Sequence, residues 1–139
     1  MESVILDTSV VVKWFTQEYR TKEAVSILTE YKDGKINIII PSILAIELAN
    51  SLFFGLGYRS AKLDGALKRF FDLNIPNIII NDKIIRSASR MMEKFSIAIY
   101  DAIFLFLAEE KQIPLITADT KHHQKKYSKY ITYLEEISL

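Results

Sequence analysis

The chain lacks cysteine and has few of the residues that interrupt regular structure. Its 139 residues include 4 glycines and 3 prolines, and half of all residues are hydrophobic. The absence of cysteine excludes disulfides and thiolate metal sites, and with them a secreted disulfide scaffold. So few glycines and prolines argue against long disordered or linker-rich segments. We therefore expect residues 1–139 to fold as one domain around one core.

The chain also lacks a long hydrophobic run and an excess of either charge. Its most apolar stretch, residues 97–108, spans 12 residues, whereas a membrane-spanning helix needs about 20. The first segment, MESVILDTSVVVKWF, has neither the basic leader nor the cleavage site of a signal peptide. The 18 basic and 17 acidic residues nearly cancel, so a nucleic acid must be bound by local patches. These features predict a cytoplasmic protein with no membrane contact.

Short apolar segments rich in β-branched residues alternate with segments of helical period. The predicted strands are residues 3–7, 36–40, 77–80, 115–117 and 130–134. The predicted helices are residues 21–31, 42–55, 60–71, 82–95 and 100–111. Such alternation predicts an α/β fold with a parallel sheet and helices on both of its faces.

Four acidic residues stand in apolar surroundings, where an unpaired carboxylate is costly to bury. Asp7 ends VILD, Glu47 lies within PSILAIELANSLFF, Asp101 within FSIAIYDAIFLFLAEE, and Asp119 follows PLITA. Each follows a predicted strand or lies in the first turns of the next helix, the edge at which open α/β sheets bind ligands. We expect the four carboxylates to converge on one crevice.

Each acid except one also has a simpler explanation. Asp7 can serve as a helix cap or an Asx turn, and Asp101 and Asp119 can each serve as caps. Glu47 lies too far inside its helix to cap it. One shared site explains all four acids better than three unrelated caps and one unexplained carboxylate.

Four carboxylates in one crevice repel one another and supply the hard oxygen ligands that favour Mg²⁺ or Mn²⁺. Such an ion promotes phosphodiester hydrolysis. No histidine or cysteine stands near these acids in a ligand pattern, which disfavours a zinc hydrolase. Because the charges repel, Asp7→Asn and Asp101→Asn are both expected to stabilise the metal-free protein. Asn50, three residues after Glu47, is either a hydrogen-bonding neighbour of the site or a solvated helix residue.

Four segments taken in order resemble the PIN domain, the nuclease domain of VapC-type toxins in toxin–antitoxin pairs. They are LDTS, ELAN, YDAIFLFLA and LITAD, and the resemblance extends over nearly the whole chain. It implies a three-layer α/β/α sandwich with a mainly parallel central sheet. It also implies an Mg²⁺- or Mn²⁺-dependent endoribonuclease acting on single-stranded RNA, a homodimer, and a cognate antitoxin.

Carried over by position, the resemblance makes Asp7, Glu47, Asp101 and Asp119 the acidic quartet of the family. Asp7, Asp101 and Asp119 are expected to hold the metal, and Glu47 to help hold it or to activate water. Thr8, Ser9 and Thr117 match the small hydroxyl residues beside the first and last acids. The family often has an aromatic residue shortly after the last acid, where this chain has TKHH.

A basic cluster follows Asp119 and is predicted either to bind RNA phosphates or to form a solvated loop. Its members are Lys121, His122, His123, Lys125 and Lys126, and Lys13 is a weaker candidate for the same role. Segment 51–58, SLFFGLGY, predicts either a partner surface or ordinary core packing.

Two alternative functions stay open at this point. One is an RNA-processing or RNA-binding PIN protein with no toxin role. The other is a phosphoryl-transfer domain, although Ser9 stands where a haloacid-dehalogenase-type phosphatase needs a second acid.

Overall fold

The computed structural model describes residues 2–137, which form a three-layer α/β/α sandwich around a parallel sheet. Its five strands are β1 (Glu2–Leu6), β2 (Ile36–Pro41), β3 (Asn77–Ile78), β4 (Leu115–Thr117) and β5 (Ile131–Tyr133). They lie in the order β3-β2-β1-β4-β5, and every neighbouring pair is parallel. The predicted fold class is confirmed.

Helices cover both faces of this sheet. They are α1 (Thr8–Val11), α2 (Thr21–Lys32), α3 (Ile43–Asn50), α4 (Ser60–Asp72), α5 (Asp82–Phe95) and α6 (Ile99–Lys111). A wider helical turn, Ser51–Gly55, extends α3. Helix α5 packs along α6, and α6 also contacts β4.

Burial explains why the central strands are continuous apolar runs. Val4, Ile5 and Leu6 of β1 are buried in succession, as are all three residues of β4, because helices cover both faces of these strands. The apolar stretch of α6 is likewise core, since Phe104, Leu105 and Leu107 are fully enclosed. Over residues 2–137 we find no helix with the length and apolar character to traverse a bilayer.

The predicted elements differ from the structure mainly in their ends. The third strand stops after Ile78 instead of residue 80, because it is a sheet edge and Asn81 then caps α5 by accepting a hydrogen bond from the Ile84 amide. Helix α1 was not predicted as a separate element, since its Val10 and Val11 are β-branched and look like part of a strand.

Segment 51–58 lies partly in the core and partly at the surface. Leu52 is fully buried, Leu56 and Tyr58 pack partly against the core, and the Tyr58 hydroxyl donates to the Phe15 carbonyl. Phe54, by contrast, is 77% exposed.

The strand order places a crevice at one point of the sheet. From β1 the chain moves to β2 on one side, and it later returns through β4 to the other side of β1. The connections after β1 and β4 therefore diverge, which leaves an opening beyond the carboxyl ends of these two strands. Asp7 directly follows β1, and Thr117 ends β4.

Candidate active site

Asp7 lies on the floor of the crevice and is only 6% exposed. It occupies the position before α1, but its side chain makes no capping hydrogen bond to that helix. Its Oδ2 accepts hydrogen bonds from Ser9 Oγ at 2.6 Å and from Thr117 Oγ1 at 2.9 Å. The side chain is therefore a charged group within the crevice rather than a helix cap.

The same hydroxyls join the ends of β1 and β4. Ser9 Oγ accepts a hydrogen bond from the Ala118 amide, and Thr117 Oγ1 accepts one from the Asp119 amide, both at 3.0 Å. Thr117 is fully buried. Two segments about 110 residues apart in sequence are thus held together around one carboxylate.

Glu47 reaches the crevice from α3. Its Oε1 accepts a 2.7 Å hydrogen bond from Thr8 Oγ1, so the first turn of α1 holds a carboxylate that belongs to another helix. Asn50 is exposed and borders, with Ile46, Tyr100 and Glu47, a shallow groove beside the crevice. Thr8, which lies outside α3, is therefore the polar partner of Glu47.

Asp101 is the third residue of α6 and half-buried, while Ala98 occupies the capping position of that helix. The Nε2 atom of His123 lies 3.5 Å from Asp101 Oδ1 and 3.5 Å from Asp7 Oδ1. The structure thus brings Asp7 and Asp101 together around an imidazole.

The expectation that no histidine stands near the acids was wrong. His123 is 1% exposed, so it is also not part of an exposed RNA-binding cluster. Its amide donates to the Asp119 carbonyl, and this turn directs the ring back toward the carboxylates and against the edge of Phe104. The available sequence signal was a histidine where the family often has an aromatic residue.

Asp119 behaves differently from the other acids. Its Oδ1 accepts hydrogen bonds from the amides of Lys121 and His122, and its Oδ2 lies 2.7 Å from His122 Nδ1. The side chain is thus the local cap that was the simpler explanation. Its charge nevertheless reaches the crevice, since it helps to raise the pKa of Asp101 and that of His123.

The four titratable groups of the crevice are unequal. Burial alone raises the pKa of Asp7, but the His123 imidazole and the Ser9 and Thr117 hydroxyls outweigh it, so the pKa of Asp7 is lowered. Burial lowers the pKa of His123, yet the neighbouring carboxylates, Asp7 foremost, raise it overall.

Glu47 and Asp101 shift in the opposite direction from Asp7. Burial raises the pKa of Glu47 most, the charges of Asp7 and Asp101 add to it, and the Thr8 hydroxyl offsets only part. Burial also raises the pKa of Asp101, and the charge of Asp7 adds to the effect, against partial compensation by His123. The crevice therefore holds one firmly ionised acid and two acids that ionise less readily.

The predicted basic residues are not equivalent either. Lys13 is buried, and its amine contacts Glu18 Oε1 at 3.0 Å and donates to the Tyr19 carbonyl at 2.6 Å, so it is not presented to a phosphate. Lys125 pairs with Glu136. Lys121, His122 and Lys126 are exposed on the loop that follows Asp119.

Comparison with known families gives an independent result. The family model described as the PIN domain matches residues 4–128. The chain belongs to the PIN domain family. None of the curated protein sequences compared with the chain matches it significantly.

Solved structures with the same fold include three at low sequence identity. PAE2754 from Pyrobaculum aerophilum has a TM-score of 0.69 and 16% identity, and the match covers 96% of this chain and 90% of that one. A toxin–antitoxin complex from Klebsiella pneumoniae has a TM-score of 0.71 and 19% identity, and the match covers 96% of this chain and 99% of that one. VapC20 of Mycobacterium tuberculosis, a sarcin-ricin loop cleaving toxin, has a TM-score of 0.65 and 13% identity, and the match covers 83% of this chain and 87% of that one.

The opposite pKa shifts of Asp7 and Asp101 predict opposite effects of the same substitution on the free energy of unfolding. At pH 7 without metal, Asp101→Asn should raise the melting temperature. The raised pKa means that the ionised carboxylate of Asp101 destabilises the folded state, and the substitution removes that charge. Asp7→Asn should lower it, because the folded state stabilises this carboxylate. The initial expectation of a gain from both substitutions is thus revised for Asp7.

Thermal unfolding in EDTA from pH 3 to pH 8 measures both effects. The stability contributed by the Asp7 charge is present above the unfolded pKa of about 3.9 and is lost as the pH falls through the lower folded value. The advantage of Asp101→Asn should likewise vanish in acid, where wild-type Asp101 is protonated. Equal shifts in one direction for both variants would contradict this electrostatic account.

Proposed function

We propose that this PIN-domain protein is a divalent-metal-dependent endoribonuclease that cleaves single-stranded regions of RNA and acts as a VapC-type toxin. The observation that carries the proposal is the convergence of Asp7, Glu47 and Asp101, from three separate segments, around one buried imidazole. PIN domains are a nuclease family, and the structural likeness to VapC20, described as a sarcin-ricin loop cleaving toxin, supports a toxin role.

The donor set fits Mg²⁺ or Mn²⁺. Carboxylate oxygens are the ligands that these hard cations prefer. Burial raises the pKa values of Glu47 and Asp101 most and charge repulsion adds to it, and a cation in the crevice would relieve that repulsion. In residues 2–137, no three histidine or acidic side chains are gathered closely enough to share one ion as they stand. Mg²⁺ needs no such cage, because it keeps several waters and binds through one or two carboxylates.

Each side chain then has a distinct part in hydrolysis. Asp7, kept ionised by its hydroxyl partners, and Asp101 would hold the ion, and Asp119 would add negative charge from the edge of the site. A bound ion supplies neutralising charge to the scissile phosphoryl group. Glu47, with its raised pKa and its orientation fixed by Thr8, accepts a proton from the attacking water.

RNA binding is proposed for the surface around the crevice. Tyr100 and Ile46, 56% and 72% exposed, border the groove beside Glu47 and offer an apolar surface to an unstacked base. Lys121, His122 and Lys126 are exposed on the loop after Asp119, within which His123 lines the crevice. Asn50 is a candidate to hydrogen-bond the RNA rather than the metal.

A metal-dependent cleavage assay tests the function. Purified protein should cleave a structured RNA in its unpaired regions with Mn²⁺ or Mg²⁺ and not with EDTA. Asp101→Asn should lower the cleavage rate at least about 100-fold. This exceeds the roughly tenfold to hundredfold loss typical of removing a residue that only hydrogen-bonds a metal ligand. The cognate antitoxin, sought as the product of a neighbouring gene, should inhibit cleavage.

Glu110→Gln is the matched control, because Glu110 is an exposed acid on the same helix as Asp101. It should cleave at the wild-type rate. Equal activity of wild type and Asp101→Asn would reject the proposed site. A protein that binds RNA without any metal-dependent cleavage would instead support the RNA-binding alternative.

The exposed lysines should contribute to RNA affinity through phosphate contacts. Lys121→Ala and Lys126→Ala should each reduce the slope of log affinity against log salt by about 0.7, the value for one single-stranded phosphate contact. Lys68→Ala, on α4, where Lys68 pairs with Asp72, serves as the control. Fluorescence anisotropy at several salt concentrations measures the slopes, and unchanged slopes would remove these lysines from the RNA surface.

A homodimer is also proposed. Phe54 is a large apolar side chain that is 77% exposed on the turn extending α3, within segment 51–58, which the sequence offers as a partner surface. Light scattering at micromolar concentration should give twice the 16.0 kDa of one chain. A monomer mass at these concentrations would contradict the proposal.

A further inference from the structure

His123 is the least expected member of the crevice. Among the described residues, neither of its ring nitrogens has a hydrogen-bond partner, although the side chain is 1% exposed. Leaving a buried polar atom without a hydrogen-bond partner destabilises the folded state. An apolar aromatic ring at this position would pack against Phe104 without that cost, so packing does not account for an imidazole here.

The imidazole is directed at the acids. Nε2 lies at the same distance, 3.5 Å, from one oxygen of Asp7 and one oxygen of Asp101. These separations are long for hydrogen bonds. They also exceed the roughly 3.0 Å between neighbouring ligands that lie about 2.1 Å from an octahedral ion. A bound ion would therefore draw the three side chains together from positions that do not yet form a three-ligand cluster in residues 2–137.

We propose that Nε2 of His123 is a direct metal ligand, together with Asp7 and Asp101, and that it shifts the preference of the site from Mg²⁺ toward transition ions such as Mn²⁺ and Co²⁺. The inference rests on the proposed metal-dependent function. Mg²⁺ prefers oxygen ligands, whereas a neutral imidazole is a good ligand for first-row transition metals, with affinity rising from Mn²⁺ to Co²⁺.

The Nδ1 atom of His123 has no acceptor among the described residues, so the ring is oriented differently from that of most ligating histidines. Most ligating histidines donate their second N–H to a protein or water acceptor. Here the ring is held instead by the turn between its amide and the Asp119 carbonyl and by the edge of Phe104. His123 is thus positioned by backbone and packing.

Metal binding to the metal-free protein tests the inference without any activity assay. Calorimetric titration should give tighter binding of Mn²⁺ and Co²⁺ than of Mg²⁺ to wild type. His123→Phe keeps an aromatic ring and removes both nitrogens, and should weaken Co²⁺ and Mn²⁺ binding at least about tenfold while Mg²⁺ changes less than about threefold. His123→Gln, which carries an amide oxygen near the position of Nε2, should retain Mg²⁺ better than Co²⁺.

Electron spin echo spectroscopy of bound Mn²⁺ gives a direct readout of a nitrogen ligand. Wild type should show a ¹⁴N coupling that His123→Phe abolishes. His122→Phe is the matched control, because His122 is the neighbouring, exposed histidine, and it should keep the coupling. Absence of the coupling in wild type overturns the inference even if the variants do not fold.

The outcomes separate the two proposals. Wild type that binds no divalent ion refutes both the metal-dependent function and the ligand role. Wild type that binds Mn²⁺ without a ¹⁴N coupling, or with affinities that the variants leave unchanged, refutes only the role of His123. An equal gain in affinity for every ion in His123→Phe would identify the imidazole as a competing cation and would also refute it.

Discussion

The buried charge of Asp7 is the constraint around which the site is organised. An isolated carboxylate at this depth would be protonated or would destabilise the fold. Two hydroxyls and an imidazole stabilise the ionised form, and they come from the turn after β1, the end of β4 and the loop after Asp119. The two hydroxyls that stabilise this charge also help to hold the carboxyl ends of β1 and β4 together.

This arrangement divides the acids by environment. Because Asp7 is kept ionised, its field acts on Glu47 and Asp101 and raises their pKa values beyond the effect of burial. An acid with a lowered pKa next to two acids that ionise less readily suits a site that attracts a cation and also accepts a proton. The difference in pKa between Asp7 and the other two acids depends on the strand order. The Thr117 hydroxyl reaches Asp7 because β1 and β4 are neighbours in the sheet.

Much of this was predictable from the sequence, and the reason is physical. A strand or helix that is buried on one or both faces carries apolar residues at regular intervals, and these intervals are visible in the sequence. The five strands and the long helices were therefore predicted within a few residues. The four carboxylates of the predicted site were identifiable because they interrupt such apolar segments. The paths of loops carry no such period. The burial of His123 depends on one turn at Asp119, and that of Lys13 on its contacts with Glu18 and Tyr19.

Asp119 illustrates how a local structure competes with a shared site. Its carboxylate accepts two backbone amides and contacts His122, and a move toward the crevice would break these interactions. The cost of breaking them favours a role in which Asp119 acts on the crevice through its field, and directs the following loop. That loop carries His123, so the last acid of the quartet shapes the site by placing the imidazole between Asp7 and Asp101.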